Sequence, residues 1–153
     1  MSNSSAKPRK RVGKTVLLSL CALLLALLLA FFAYTQDYYR ADADAVALLD
    51  SSPAIWQDGN LTILSPDAAS DTGAGLIFYP GGKVEETAYL PLLEQLRETG
   101  LTCVLVRMPF RLAVFNIRAA DAVYGRLPSI SRWYLAGHSL GGIAVCYGLM
   151  YYH

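Results

Sequence analysis

The sequence predicts an α/β fold: a parallel sheet covered by helices on both faces, entered through an N-terminal β-hairpin and preceded by one transmembrane helix. Three observations carry this. From Gly75 onward, short runs that are apolar throughout alternate with helix-compatible segments, the pattern of parallel strands buried on both sides. One apolar run stops at Gly137-His138-Ser139-Leu140-Gly141, a glycine-flanked serine where a strand gives way to a helix. Near the start, residues 16–33 hold nine leucines and one clearly polar residue, Ser19.

Of the 13 basic residues, Lys7, Arg9, Lys10, Arg11 and Lys14 precede that leucine-rich run, leaving 8 basic against 12 acidic residues beyond it, a net charge of −4. Residues 1–14 read as a basic cytoplasmic segment and residues 15–34 as an uncleaved signal-anchor. Eighteen apolar residues at 1.5 Å rise reach about 27 Å, close to the hydrocarbon thickness of a bilayer. A cleaved signal is the alternative, although cutting after Ala33 would place Phe31 where a small residue is wanted. Basic charge before the span and Asp37, Asp42 and Asp44 after it place the chain from about Thr35 outside the cytoplasm, at the cell membrane. Residues 35–53 read as a helical stalk broken by Pro53, with Val46, Leu48 and Leu49 forming a small apolar face that either docks on the domain or merely spaces it from the bilayer.

Residues 54–153 read as the α/β domain. Residues 54–57 and 61–64 flank Asp58-Gly59-Asn60 as a hairpin. Strands are expected at 76–79, 101–106 and 133–136. The first helix holds Pro91 near its first turn, after a looser lead-in over 84–88, and ends at Thr99-Gly100, with Leu92, Leu93 and Leu96 on its apolar side and Glu94, Arg97 and Glu98 opposite. A second helix is expected over 112–124, closed by Gly125, and a third over 140–152. Cys21, Cys103 and Cys146 make no disulfide framework and read as buried small hydrophobes. No CxxC or HExxH pattern supports a metal site, and a basic cluster that abuts the apolar span gives no support to a nucleic-acid partner.

The chemistry is read at Ser139. A strand turning abruptly into a helix brings the residues two before and two after the serine together, so side chains at Gly137 or Gly141 would collide. Such a nucleophile elbow exposes the hydroxyl and aims the free N–H groups of the following helix at a nearby oxyanion. An ordinary glycine-rich turn is the alternative. The loop Tyr79-Pro80-Gly81-Gly82-Lys83 follows the first parallel strand, and its glycine pair lets backbone N–H groups approach a carbonyl oxygen closely. The N–H groups of Gly82 and Leu140 are the candidate oxyanion donors, with a plain tight turn as the alternative at Gly82. Lys83 and residues 107–110 lie at strand ends facing this site, as substrate contacts or as ordinary packing.

Together, Tyr79-Pro80-Gly81-Gly82-Lys83, Arg107-Met108-Pro109-Phe110 and Gly137-His138-Ser139-Leu140-Gly141-Gly142 resemble the small bacterial α/β-hydrolases, close to the dienelactone-hydrolase-like group also described as α/β-hydrolase fold family 5. The resemblance covers residues 56–152. It implies an α/β-hydrolase fold in which the strands before the oxyanion loop and the nucleophile are neighbours, bringing Gly82 and Ser139 together. Pro80 stands where many relatives have histidine, a departure that leaves a backbone donor intact. The resemblance further implies an Asp or Glu and then a His after the nucleophile, and here the chain departs from it. No acidic residue follows Ser139, and the one later histidine, His153, stands about 20 Å along the elbow helix. His138 adjoins the nucleophile and points elsewhere, and Asp121 precedes it. The chain therefore reads as truncated after the elbow helix.

The leading functional expectation is a membrane-anchored serine hydrolase acting on a small-molecule ester or related acyl substrate, requiring no metal or organic cofactor. A non-catalytic anchored binding module and an acyltransferase are the alternatives.

Overall fold

The computed structural model describes residues 9–150, and the chain divides into two compact units with the boundary between Asp37 and Tyr38. The first unit contains one helix, α1 (Arg9–Gln36). Within Val12–Gln36 an 18-residue window reaches a mean hydropathy of 2.9, and this is the one helix among the described residues long and apolar enough to cross a membrane. Its leucines are exposed around the whole circumference, Leu18 and Leu28 among them, as in a helix whose surroundings are apolar on every side.

The second unit is a five-stranded sheet between two helical layers. Its elements are α2 (Ala43–Ser51), β1 (Ile55–Asp58), β2 (Leu61–Leu64), β3 (Ala74–Tyr79), α3 (Leu90–Glu98), β4 (Thr102–Val106), α4 (Ala119–Arg126), β5 (Arg132–Gly137) and α5 (Leu140–Leu149). The strand order is β1-β2-β4-β3-β5. The strands β4, β3 and β5 are parallel as expected, but the β1–β2 hairpin joins β4 antiparallel through β2, so the sheet is mixed. In β3 the side chains alternate: Ile77 and Tyr79 enter the core under α4 and α5, while Leu76 and Phe78 enter the core with α3 and the flank of α2. Val104 and Val106 against Cys103 and Leu105 repeat the alternation in β4.

Three expected elements are corrected. The helical stalk expected over residues 35–53 is interrupted between Gln36 and Ala43, because residues 39–41 use their backbone on the segment after β3. Tyr39 N–H donates to the Lys83 carbonyl at 2.8 Å, Glu85 N–H donates to the Tyr39 carbonyl at 2.8 Å, and Ala41 N–H donates to the Glu85 carboxylate at 3.0 Å. Helical propensity differs by only tenths of a kcal/mol per residue, so bonds to such distant partners override it. The stalk's second half, α2, packs Leu48 and Leu49 against the α3 core.

The helix expected over 112–124 is replaced by two short 3₁₀ turns, Pro109–Arg111 and Ala113–Phe115, and α4 begins only at Ala119. The reason lies in β3. The Tyr79 hydroxyl accepts the Ala120 N–H at 2.8 Å and donates to the Ile117 carbonyl at 3.3 Å, satisfying an otherwise free N–H of the first turn of α4. Gly125 sits inside α4 rather than closing it.

On α3, Pro91 occupies the first turn as expected, but Leu90 and Leu93 are the buried pair while Leu92 is 48% exposed. Positions 90 and 93 share a helical face, and position 92 lies well round from it. Of the cysteines, Cys103 is buried, whereas Cys21 and Cys146 are exposed. At the far edge, β5 pairs with β3 alone among the described residues, and Tyr134, Ile143 and Tyr147 beside it are about half exposed.

Candidate active site at the C-terminal edge of the sheet

The parallel strands β3, β4 and β5 end on the same edge, and their following loops form the candidate site. Ser139 has φ 50° and ψ −118°, a conformation that costs a residue with a Cβ a few kcal/mol at most and persists where packing enforces it. The packing is visible at the glycines. A Cβ on Gly141 would lie 2.1 Å from the Tyr79 carbonyl oxygen, and one on Gly137 would lie 2.5 Å from the Gly141 carbonyl carbon. The residues two before and two after Ser139 therefore touch, and Ser139 is exposed at the apex.

Pairing of β3 with β5, in register from Ala74↔Arg132 to Tyr79↔Gly137, brings the Tyr79-to-Lys83 loop beside the elbow. Gly82 packs on Leu140: a Cβ there would stand 2.9 Å from Leu140 Cδ2. Most N–H groups of the two turns are already used. Gly81 N–H donates to the Tyr89 hydroxyl at 3.0 Å, Lys83 N–H to the Arg111 carbonyl at 2.9 Å, and Gly141 N–H to the His138 carbonyl at 2.8 Å. The N–H groups of Gly82 and Leu140 have no acceptor among the described residues. These adjacent residues thus each carry an uncommitted N–H group.

No described side chain hydrogen-bonds the Ser139 hydroxyl. His138 Nδ1 lies 2.9 Å from the Tyr89 hydroxyl, so its ring is committed to the segment before α3. Asp121 pairs with Arg118 at 2.7 Å on α4. His153 lies outside the described residues. No three His, Cys, Asp or Glu side chains among the described residues come together as metal ligands.

Arg107, Met108 and Phe110, singled out in the sequence, line a cleft of about 320 Å³ together with Glu85, Glu86 and Arg111. Ser139 and Lys83 are not among its lining residues. Glu86 is buried and paired with Arg107. Four non-glycine residues among those described have positive φ, namely Lys83, Phe110, Arg111 and Ser139, and all four follow the ends of β3, β4 and β5. Sequence reasoning missed Tyr89 and Arg111. No local pattern marks either one, since Tyr89 acts through His138, 49 residues away, and Arg111 through Tyr38.

A family model described as "Alpha/beta hydrolase family" matches residues 75–148, the stretch from β3 into α5, in agreement with the superfamily resemblance carried by the elbow. No curated protein and no solved structure matches the chain.

Proposed function

We propose, from this α/β-hydrolase match, that the protein is a membrane-anchored serine hydrolase whose nucleophile is Ser139 and whose substrate is an ester or related acyl compound. The observation that carries the reading is the backbone of Ser139, held at φ 50° by contact between Gly137 and Gly141. Ser139 Oγ attacks the acyl carbon, and the carbonyl oxygen, as it becomes an oxyanion, takes hydrogen bonds from Gly82 and Leu140. A histidine must accept the serine proton and a carboxylate must orient it. No described side chain reaches the Ser139 hydroxyl to fill either role, so the reading assigns neither to a named residue. Residues 12–36 anchor the protein, and the basic N-terminal cluster puts the hydrolase unit outside the cytoplasm.

A fluorophosphonate probe applied to the full-length protein tests this. Labelling should map to Ser139 and vanish in Ser139→Ala, with turnover falling by as much as about 10⁶. Gly82→Pro, which removes one donor, should cost about 10² to 10³ in turnover. Wild-type turnover in Ser139→Ala would sink the assignment. One observation favours a non-catalytic binding module instead: His138, the histidine nearest the nucleophile in sequence, is tied to Tyr89. Absence of labelling in the full-length protein would support that second reading.

A further inference from the structure

The cleft after β4 contains one cation, Arg111, that makes no ion pair among the described residues. Its other ionic groups are engaged: Glu86 with Arg107, and the Glu85 carboxylate with the Ala41 N–H. The Arg111 Nε is buried without a hydrogen-bond partner. A buried donor on a charged group is costly to leave unmet, so an acceptor is expected there.

The surroundings fix the guanidinium rather than leave it to wander. Its carbon stands 3.5 Å from the centroid of the Tyr38 ring, so one face is covered and further bonds must be made in its plane. Phe110 and Arg111 both have positive φ, 53° and 57°, a pair of left-handed residues that presents the side chain to the cleft at the cost of local strain. The cleft also adjoins the candidate oxyanion loop. The Arg111 carbonyl accepts the N–H of Lys83, the neighbour of Gly82, and Leu112 Cδ2 lies 3.7 Å from where a Gly82 Cβ would be.

We propose that Arg111 is a recognition residue for an oxyanion carried by the ligand, a carboxylate or a phosphodiester, held in the plane of its guanidinium in this cleft. Both groups present two oxygens that match the guanidinium fork. Calling that ligand the substrate rests on the hydrolase reading; the anion site itself does not.

Calorimetric titration of the full-length protein carrying Ser139→Ala, in detergent micelles, separates the two questions, because binding is then read without turnover. The probes are monomethyl succinate, dimethyl phosphate and, as the uncharged control, dimethyl succinate. At least one anion should bind ten-fold or more tighter than the neutral diester, and its identity names the source of the charge. Arg111→Gln should reduce that anion's affinity to the level of the neutral diester, and Arg111→Lys, which keeps the charge without the fork, should fall between. Equal affinity of neutral and charged probes, no binding of either anion, or unchanged affinity in Arg111→Gln would overturn the proposal. Should Arg111→Gln fail to fold, the contrast between charged and neutral probes with Arg111 in place decides it alone. Anion binding without fluorophosphonate labelling of Ser139 in the wild-type protein would keep this site and retire the hydrolase reading.

Discussion

The Tyr89 hydroxyl, which stands 2.9 Å from His138 Nδ1 and accepts the Gly81 N–H at 3.0 Å, joins the elbow to the loop that carries Gly82. Three segments meet at that one oxygen. Tyr89→Phe should leave Gly81 N–H without an acceptor and cost roughly 1 kcal/mol of stability, read from a urea midpoint. In the proposed hydrolase it should lower kcat with little change in KM, since the loop acts on the oxyanion. Unchanged stability and turnover would show that the oxygen organises nothing.

Two glycine substitutions with opposite expected signs test the elbow. Gly141→Ala would push a Cβ to 2.1 Å from the Tyr79 carbonyl, a backbone atom that cannot swing away, and should destabilise by several kcal/mol or abolish folding. Gly125→Ala meets nothing within 4 Å inside α4 and should stabilise by about 0.5 to 1 kcal/mol. Thermal melts of the two variants beside wild type decide; a neutral Gly141→Ala would contradict the packing described.

Alkaline unfolding should report two buried groups. Burial pushes the Tyr79 phenol from 10.0 up to about 12, and burial likewise pushes the Cys103 thiol from 9.0 up to about 12. Both are neutral in the folded state and ionise more readily once unfolded. Their contribution is therefore complete below pH 9 and is lost as pH rises, from about 9 for Cys103 and about 10 for Tyr79. For Tyr79 the loss should reach roughly 2 kcal/mol by pH 12. Cys103→Ala and Tyr79→Phe should each flatten the stability curve in its own window. Tyr79→Phe should also cost about 1 to 3 kcal/mol at neutral pH, because the Ala120 N–H loses its acceptor.

Protease added outside intact cells should degrade the unit beginning at Tyr38 while sparing the basic N-terminus. Protection of that unit, with the N-terminus cut instead, would reverse the proposed orientation.

The elements legible in the sequence are those whose signal is local. Gly137 and Gly141 announce a turn that no side chain fits, Asp58-Gly59-Asn60 announces the hairpin, and the uninterrupted apolar residues of β3 and β4 announce strands covered on both sides. The nine leucines of α1 announce its hydropathy without reference to any partner. Other features depended on contacts distant in sequence. Tyr39 leaves the helical path to bond Lys83 and Glu85, Tyr79 sets the start of α4 from forty-one residues away, and Arg111 turns to positive φ over Tyr38. Local preferences amount to tenths of a kcal/mol per residue, whereas a satisfied buried hydrogen bond contributes about one, so where the two disagree the tertiary partner sets the backbone. The strained residues Lys83, Phe110, Arg111 and Ser139 are places where that happened, which is why the chemistry of the edge became visible only once β3, β4 and β5 were laid side by side.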